Sequence, residues 1–109
     1  MLPNGDRAIL DLRKLVDYCL NPAHPRGRHK ARVFRESLGI MQADAADLRS
    51  YLLYAAAHTV ASPLLGDAWG DRWQIDVTVS RQSRRAVVRT IWIVRSGEQI
   101  PRFVTCWVV

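Results

Sequence analysis

The residues best suited to chemistry lie in one string, His24-Pro25-Arg26-Gly27-Arg28-His29-Lys30-Ala31-Arg32-Val33-Phe34. It holds two of the three histidines, one of the two lysines and three arginines, and it has no acid. Histidine is the side chain whose unperturbed pKa lets it move protons near neutral pH. Lysine and arginine bind phosphate. Pro25 and Gly27 open the string as a loop, and Ala31, Phe34 and Leu38 continue it as one side of a helix. A helix N-terminus points free N–H groups at an anion. The chemistry that suits this set is metal-independent cleavage of RNA. Such cleavage needs a base for the 2′-hydroxyl proton, an acid for the 5′-leaving oxygen and cations for the charged phosphorane. His24 is the first candidate for proton transfer and His29 the second. Lys30 and Arg28 are the candidates for phosphate stabilisation.

The C-terminal third adds further cations and hydroxyls: Arg89, Thr90, Arg102 and Thr105. Arg89 stands out because it interrupts an apolar face between Val87 and Ile91. An arginine at a strand end that reaches out to water explains it equally well. For Thr90 and Thr105, strand propensity alone is a sufficient reason. Trp69, Trp73, Trp92 and Trp107 could stack bases, although tryptophans in a small domain more often fill the core. Trp92 alternates onto the face of Thr90, so it would border a site there.

Other chemistries fit poorly. There is no G-x-S-x-G and no G-x-x-x-x-G-K string. No pair of carboxylates stands out, and Asp76 is the one acid inside a predicted strand. Cys19 and Cys106 are far apart in sequence and sit in apolar patterns, so they read as buried free thiols. Cysteines and histidines at such spacings make no recognisable metal site. No cofactor is expected.

A chain of 109 residues, about half hydrophobic and a quarter charged, fits one folded domain. The net charge of +6 favours a polyanionic partner, whether RNA, DNA, an acidic protein or an anionic membrane surface. The cations gather in two clusters. One is Arg26, Arg28, Lys30, Arg32 and Arg35; the other is Arg81, Arg84, Arg85, Arg89 and Arg95. A solvated basic surface that only keeps the domain soluble is the plainer explanation. No apolar run reaches the ~18 residues of a membrane span. Met1 to Leu10 lacks a signal-peptide core. A cytoplasmic location without a membrane partner is expected.

The elements that must position these residues follow from hydrophobic periodicity. Asp11 caps a helix of about 12 to 20 carrying Leu12, Leu15, Val16, Cys19 and Leu20. Asn21-Pro22 ends it. A second helix runs from Arg28 or His29 to Leu38, with Gly39 closing it. Asp44 caps a third, about Ala45 to His58. Residues 59 to 72 read as a loop. Strict alternation then predicts strands from Trp73 to Ser80 and from Ala86 to Arg95, and a closing strand from Arg102 to Val109. The class is α+β: helices in about 11 to 58 pack on one face of a three- to four-stranded antiparallel sheet in about 73 to 109.

Several strings together resemble a bacterial family known only as a domain of unknown function. They are Asp11-Leu12-Arg13-Lys14-Leu15, Tyr18 to Phe34, Leu38-Gly39, Val88-Arg89-Thr90-Ile91-Trp92 and Pro101 to Cys106. The family's layout is similar to the barnase/EndoU/colicin/RelE-like ribonuclease fold, which includes toxin domains. That resemblance implies a fourth strand. It also implies a site that combines His24 and Lys30 with Arg89, Thr90 and Thr105, and a small acidic antitoxin-like partner protein.

The leading expectation is therefore the toxin of a bacterial toxin–antitoxin pair, acting as a metal-independent endoribonuclease. His24, Lys30, Arg89 and Thr105 would be catalytic. Arg28, His29, Thr90, Arg102 and Trp92 would hold RNA. The alternative is a non-catalytic basic module that docks nucleic acid or an acidic protein. It shares the charge but does not require His24 and Lys30 to converge with Arg89 or Thr105.

Overall fold

A computed structural model describes all residues, 1–109. The order of elements is helices first, then strands. Helix α1 spans Arg28–Leu38 and α2 spans Ala45–His58. Strands β1 (Ser62–Pro63), β2 (Gly70–Arg81), β3 (Arg84–Arg95) and β4 (Arg102–Val108) form one antiparallel sheet in the order β1-β2-β3-β4. The class is α+β, with the helices packed on one face of the sheet.

Each helix forms for a readable reason. In α1, Ala31, Phe34 and Leu38 are the buried stripe. Gly39 ends it in the left-handed region at φ 65, where its N–H bonds to the Arg35 carbonyl. In α2, Leu48, Leu52, Ala55 and Ala56 face the core. Asp44 does not cap α2 as the spacing predicts. Residues Gln42–Asp44 form a 3-10 turn that runs into the helix, and the Asp44 carboxylate instead accepts the Met41 N–H and an Arg81 guanidinium.

The first helix also differs from its predicted form. Asp11 accepts the Arg13 N–H as a cap would, but residues Leu15–Cys19 then widen into a π-helical turn. Leu20 N–H bonds back to Leu15 O at 2.8 Å. Five-residue hydrogen bonds bring Leu15 and Leu20 into line, so Leu15, Cys19 and Leu20 are all buried.

The fourth strand lies inside the stretch that reads as loop: Ser62 pairs with Gln74 and Pro63 with Trp73. Pro63 is tolerated there because this is a sheet edge. The long β2–β3 hairpin turns through Gln82 and Ser83, with Gln82 at φ 57. The core of 20 buried residues lies between the helices and the sheet, centred on Trp92, Phe103, Phe34, Ile75 and Val88.

One irregularity in β4 positions the site. Ile91 is opposite Thr105, but Trp92 is opposite Phe103, so Val104 is the extra residue of a β-bulge. Strict alternation from the buried Phe103 would turn Thr105 and Trp107 into the core. The bulge instead buries Cys106 and leaves Thr105 and Trp107 half-exposed.

Candidate functional site

The first turn of α1, the π turn and the exposed edge of β4 meet at Lys30. Its ammonium donates to Thr105 Oγ1 at 2.9 Å and to Tyr18 Oη at 3.1 Å. It also sits over two aromatic faces, 4.8 Å from the Tyr18 ring centroid and 5.2 Å from that of Trp107. No acid forms an ion pair with it. An ammonium has three donors, so one remains free once Tyr18 and Thr105 are served. Both hydroxyl oxygens accept from Lys30, which leaves their own protons to donate. The mouth is a depression of about 410 Å³ lined by His29, Lys30, Val33, Trp107 and Val108. It presents N–H and O–H donors and a positive charge, which is what a phosphate oxygen requires.

Close backbone packing fixes this geometry. A Cβ on Gly27 would lie 2.1 Å from Tyr18 O. Only glycine lets the π turn approach the start of α1, and that approach carries the Tyr18 hydroxyl to Lys30.

Beneath Lys30 the two thiols meet. Cys19 and Cys106 are both buried and free. Cys19 Sγ lies 3.9 Å from Thr105 Oγ1. Hydrogen bonding from Cys106 lowers the Cys19 pKa to about 7, with Thr105 and the Lys30 charge adding to it. Burial, joined by the Cys19 contact, pushes Cys106 the other way.

His24 has a different place from the one its residue type suggests. Its Nδ1 accepts the N–H groups of Arg26 at 3.0 Å and Gly27 at 2.9 Å. Its carbonyl accepts the Arg28 N–H that opens α1. The ring packs edge-on against Tyr18, centroids 4.8 Å apart. With Nδ1 accepting, the neutral ring carries its proton on Nε2. His24 thus ties the loop to the helix start and supports Tyr18. It has no free lone pair with which to take a proton. His29, by contrast, is exposed and lines the depression beside Lys30.

A family described as a domain of unknown function (DUF6883) matches the chain over residues 1–109. The chain belongs to the DUF6883 family. No curated protein matches its sequence at a significant level. Among solved structures, it is similar to one chain of a contact-dependent growth inhibition toxin–immunity protein complex from Klebsiella pneumoniae 342. The TM-score is 0.73 at 16% identity, covering 93% of this chain and 99% of that one. At that identity the likeness is one of fold.

The remaining candidates of this DUF6883 domain separate by environment. Thr105 is at the site. Arg89 lies opposite Trp107 in the β3–β4 ladder, but its Nε and Nη2 donate to the Asp76 carboxylate, at 2.9 and 3.0 Å. Arg102 is held in the same way by Glu98, towards the other end of β4. Thr90 and Trp92 are 0% exposed. Trp92 Nε1 donates to Thr90 Oγ1, which donates to the Ile75 carbonyl, both at 2.8 Å. That chain satisfies buried polar atoms inside the core, out of reach of any ligand. Arg28 faces the opposite side of α1 from Lys30, in a separate groove.

Sequence reasoning missed Tyr18 and named Trp107 only among tryptophans that could stack bases but more often fill the core. Tyr18 falls in the predicted first helix without a neighbour to mark it. Trp107 reads as core by alternation, and only the bulge turns it out. No helix is long and apolar enough to cross a membrane.

Proposed function

We propose that this domain is a toxin that cleaves RNA without a metal ion, and that a small acidic protein neutralises it. The observation that carries this reading is the Lys30 ammonium, held by two hydroxyls and two aromatic rings, unpaired by any acid and open to solvent. A lysine with only a structural task would be expected to have a carboxylate partner or to extend into water. The net charge of +6 suits the nucleic-acid-facing member of a toxin–immunity pair. The fold shared with a chain of such a complex, and the likeness of the layout to the barnase/EndoU/colicin/RelE-like ribonucleases, support the same class.

The geometry supports the following roles. The scissile phosphate sits at the mouth of the depression, one oxygen on Lys30 and another on the Tyr18 and Thr105 hydroxyls. His29 takes the proton from the 2′-hydroxyl, whose oxygen attacks phosphorus. The bond to the 5′-oxygen breaks, and that oxygen takes a proton from the donors at hand, Lys30 Nζ or Tyr18 Oη. The products are a 2′,3′-cyclic phosphate and a free 5′-hydroxyl. Trp107 offers its ring to an adjacent base. His24 and Gly27 hold the helix start and Tyr18 in position. Arg89 stays with Asp76.

The test is incubation of the purified domain with tRNA and total RNA in EDTA, followed by analysis of the new ends. Discrete fragments ending in 2′,3′-cyclic phosphate are expected. Intact RNA after incubation with folded protein would shift the reading to the non-catalytic binding module.

A further inference from the structure

The face of α1 opposite the Lys30 site borders a second, larger concavity. Its volume is about 660 Å³, and it lies between α1 and the segments around Leu20 and Met41. One wall carries Arg28, Arg32 and Arg35, spaced at four and then three residues on one helix face. All three are exposed, and none is in an ion pair. The lining contains no acid. The opposite wall is apolar, with Leu20, Pro22 and Ile40, and Met41 is left half-exposed above it. His29 lines both this groove and the depression at Lys30. The two concavities therefore adjoin across one residue.

We propose that this groove is a track for single-stranded RNA flanking the scissile phosphate. The strand's phosphates lie along Arg28, Arg32 and Arg35, and a base rests on the apolar wall by Met41. The chain then passes His29 into the Lys30 site. This inference rests on the ribonuclease reading above. Three features select a single nucleic-acid strand. Seven residues of helix put Arg28 and Arg35 about 10 Å apart along the axis, more than one nucleotide of an extended strand needs. Unpaired guanidiniums bind phosphate bidentately. An apolar wall facing a basic one accepts a base and its backbone together, the pairing that single-strand binding surfaces use. A duplex would present only phosphates and leave the apolar wall unused.

The experiment measures binding apart from cleavage. A fluorescein-labelled 2′-O-methyl RNA 12-mer of mixed sequence cannot be cleaved, because its 2′-oxygen is blocked. Its affinity is measured by anisotropy across a salt series for the wild type and for the double variant Arg32→Gln, Arg35→Gln. Both positions are exposed, so the variant keeps its fold. The expected result is about tenfold weaker binding, with the salt slope reduced by about 1.4, the loss of two single-strand phosphate contacts. Wild-type affinity and slope in the variant would overturn the track. Equal affinity for the duplex of the same sequence would overturn it too. So would tighter binding of a poly-glutamate peptide through the same arginines, which would make the groove a protein-docking site. If the wild type binds the 12-mer through these arginines but leaves unmodified RNA intact, the ribonuclease reading fails and the single-strand track stands.

Discussion

The chain carries two basic clusters of similar composition, and acids reach into only one of them. In the sheet, Arg81 is held by Asp44 at 2.8 Å, and Arg89 is held by Asp76 through Nε and Nη2. Along α1, Arg28, Lys30, Arg32 and Arg35 have no acid partner. The sheet cluster spends the charge of Arg81 and Arg89 inside the molecule, while Arg84, Arg85 and Arg95 form no ion pair. The α1 cluster has none of its charge paired. Net charge and clustering are visible in a sequence, but the pairing that separates held cations from free ones is a property of the fold.

That contrast is sharpest within the histidine string. Substituting His29→Gln should lower cleavage by about 10²–10⁴-fold, the usual contribution of a positioned proton-transfer group. His24→Asn should stay within a few fold of wild type, because the amide oxygen can replace Nδ1 as acceptor for the Arg26 and Gly27 N–H groups. Cleavage assays on the two variants side by side check this, and the reverse outcome would return His24 to the reacting centre. Gly27→Ala would press a methyl group into the Tyr18 carbonyl. It should displace Tyr18 from Lys30 and cost both stability and activity, measured by urea unfolding and by cleavage.

On the sheet side, Thr90→Val removes the acceptor for the buried Trp92 indole and should cost about 1–3 kcal/mol. Denaturant titration measures the loss. Cleavage by the folded fraction should be unchanged, since Thr90 touches nothing at the site. Asp76→Asn would release Arg89 beside Trp107. The released cation should steepen the salt dependence of RNA binding by about 0.7, one added phosphate contact. An unaltered slope would show that Arg89 lies beyond the path of the strand.

The smallest effect concerns acid. The hydrogen bond from Arg81, with a further one from Met41 N–H, holds the Asp44 carboxyl below the usual carboxylate range. A depressed folded-state pKa means that the unfolded chain takes up the proton first. The stabilisation is complete above about pH 4 and is lost as pH falls through the lower folded value. Arg81→Ala should therefore be slightly less stable than wild type at neutral pH, and the gap should narrow below about pH 4. Unfolding midpoints across that range test the sign.

Much of the fold was legible in the sequence. The stripe Ala31, Phe34 and Leu38, closed by Gly39, marked α1. The alternation through Ile75, Val77 and Val79 marked β2. The π turn was hidden because an apolar spacing of Leu15, Cys19 and Leu20 also satisfies an ordinary helix. Strand β1 has two residues and no period to read. Part of the site was legible as well. Lys30 and Thr105 were both candidates, and they are hydrogen-bonded across 75 residues of chain. Tyr18 was not legible, and Trp107 stood only among the tryptophans that could stack bases. A bulge at Val104 reverses the alternation of β4, so Trp107 points to the site where its pattern points to the core. For His24 the pattern could not show the chemistry: two backbone N–H groups occupy its Nδ1.

The central claim is that an unpaired Lys30 works on phosphate. The most direct measurement is the cleavage rate of tRNA in EDTA by the wild type, Lys30→Ala and Lys30→Arg, with circular dichroism confirming that all three are folded. Lys30→Ala should lose about 10²–10³-fold, the cost of removing one preorganised donor to a charged transition state. Lys30→Arg should recover part of that. Undiminished cleavage by folded Lys30→Ala would contradict the account, because it would place the chemistry away from the cation that the Tyr18 and Thr105 hydroxyls hold at the mouth of the depression.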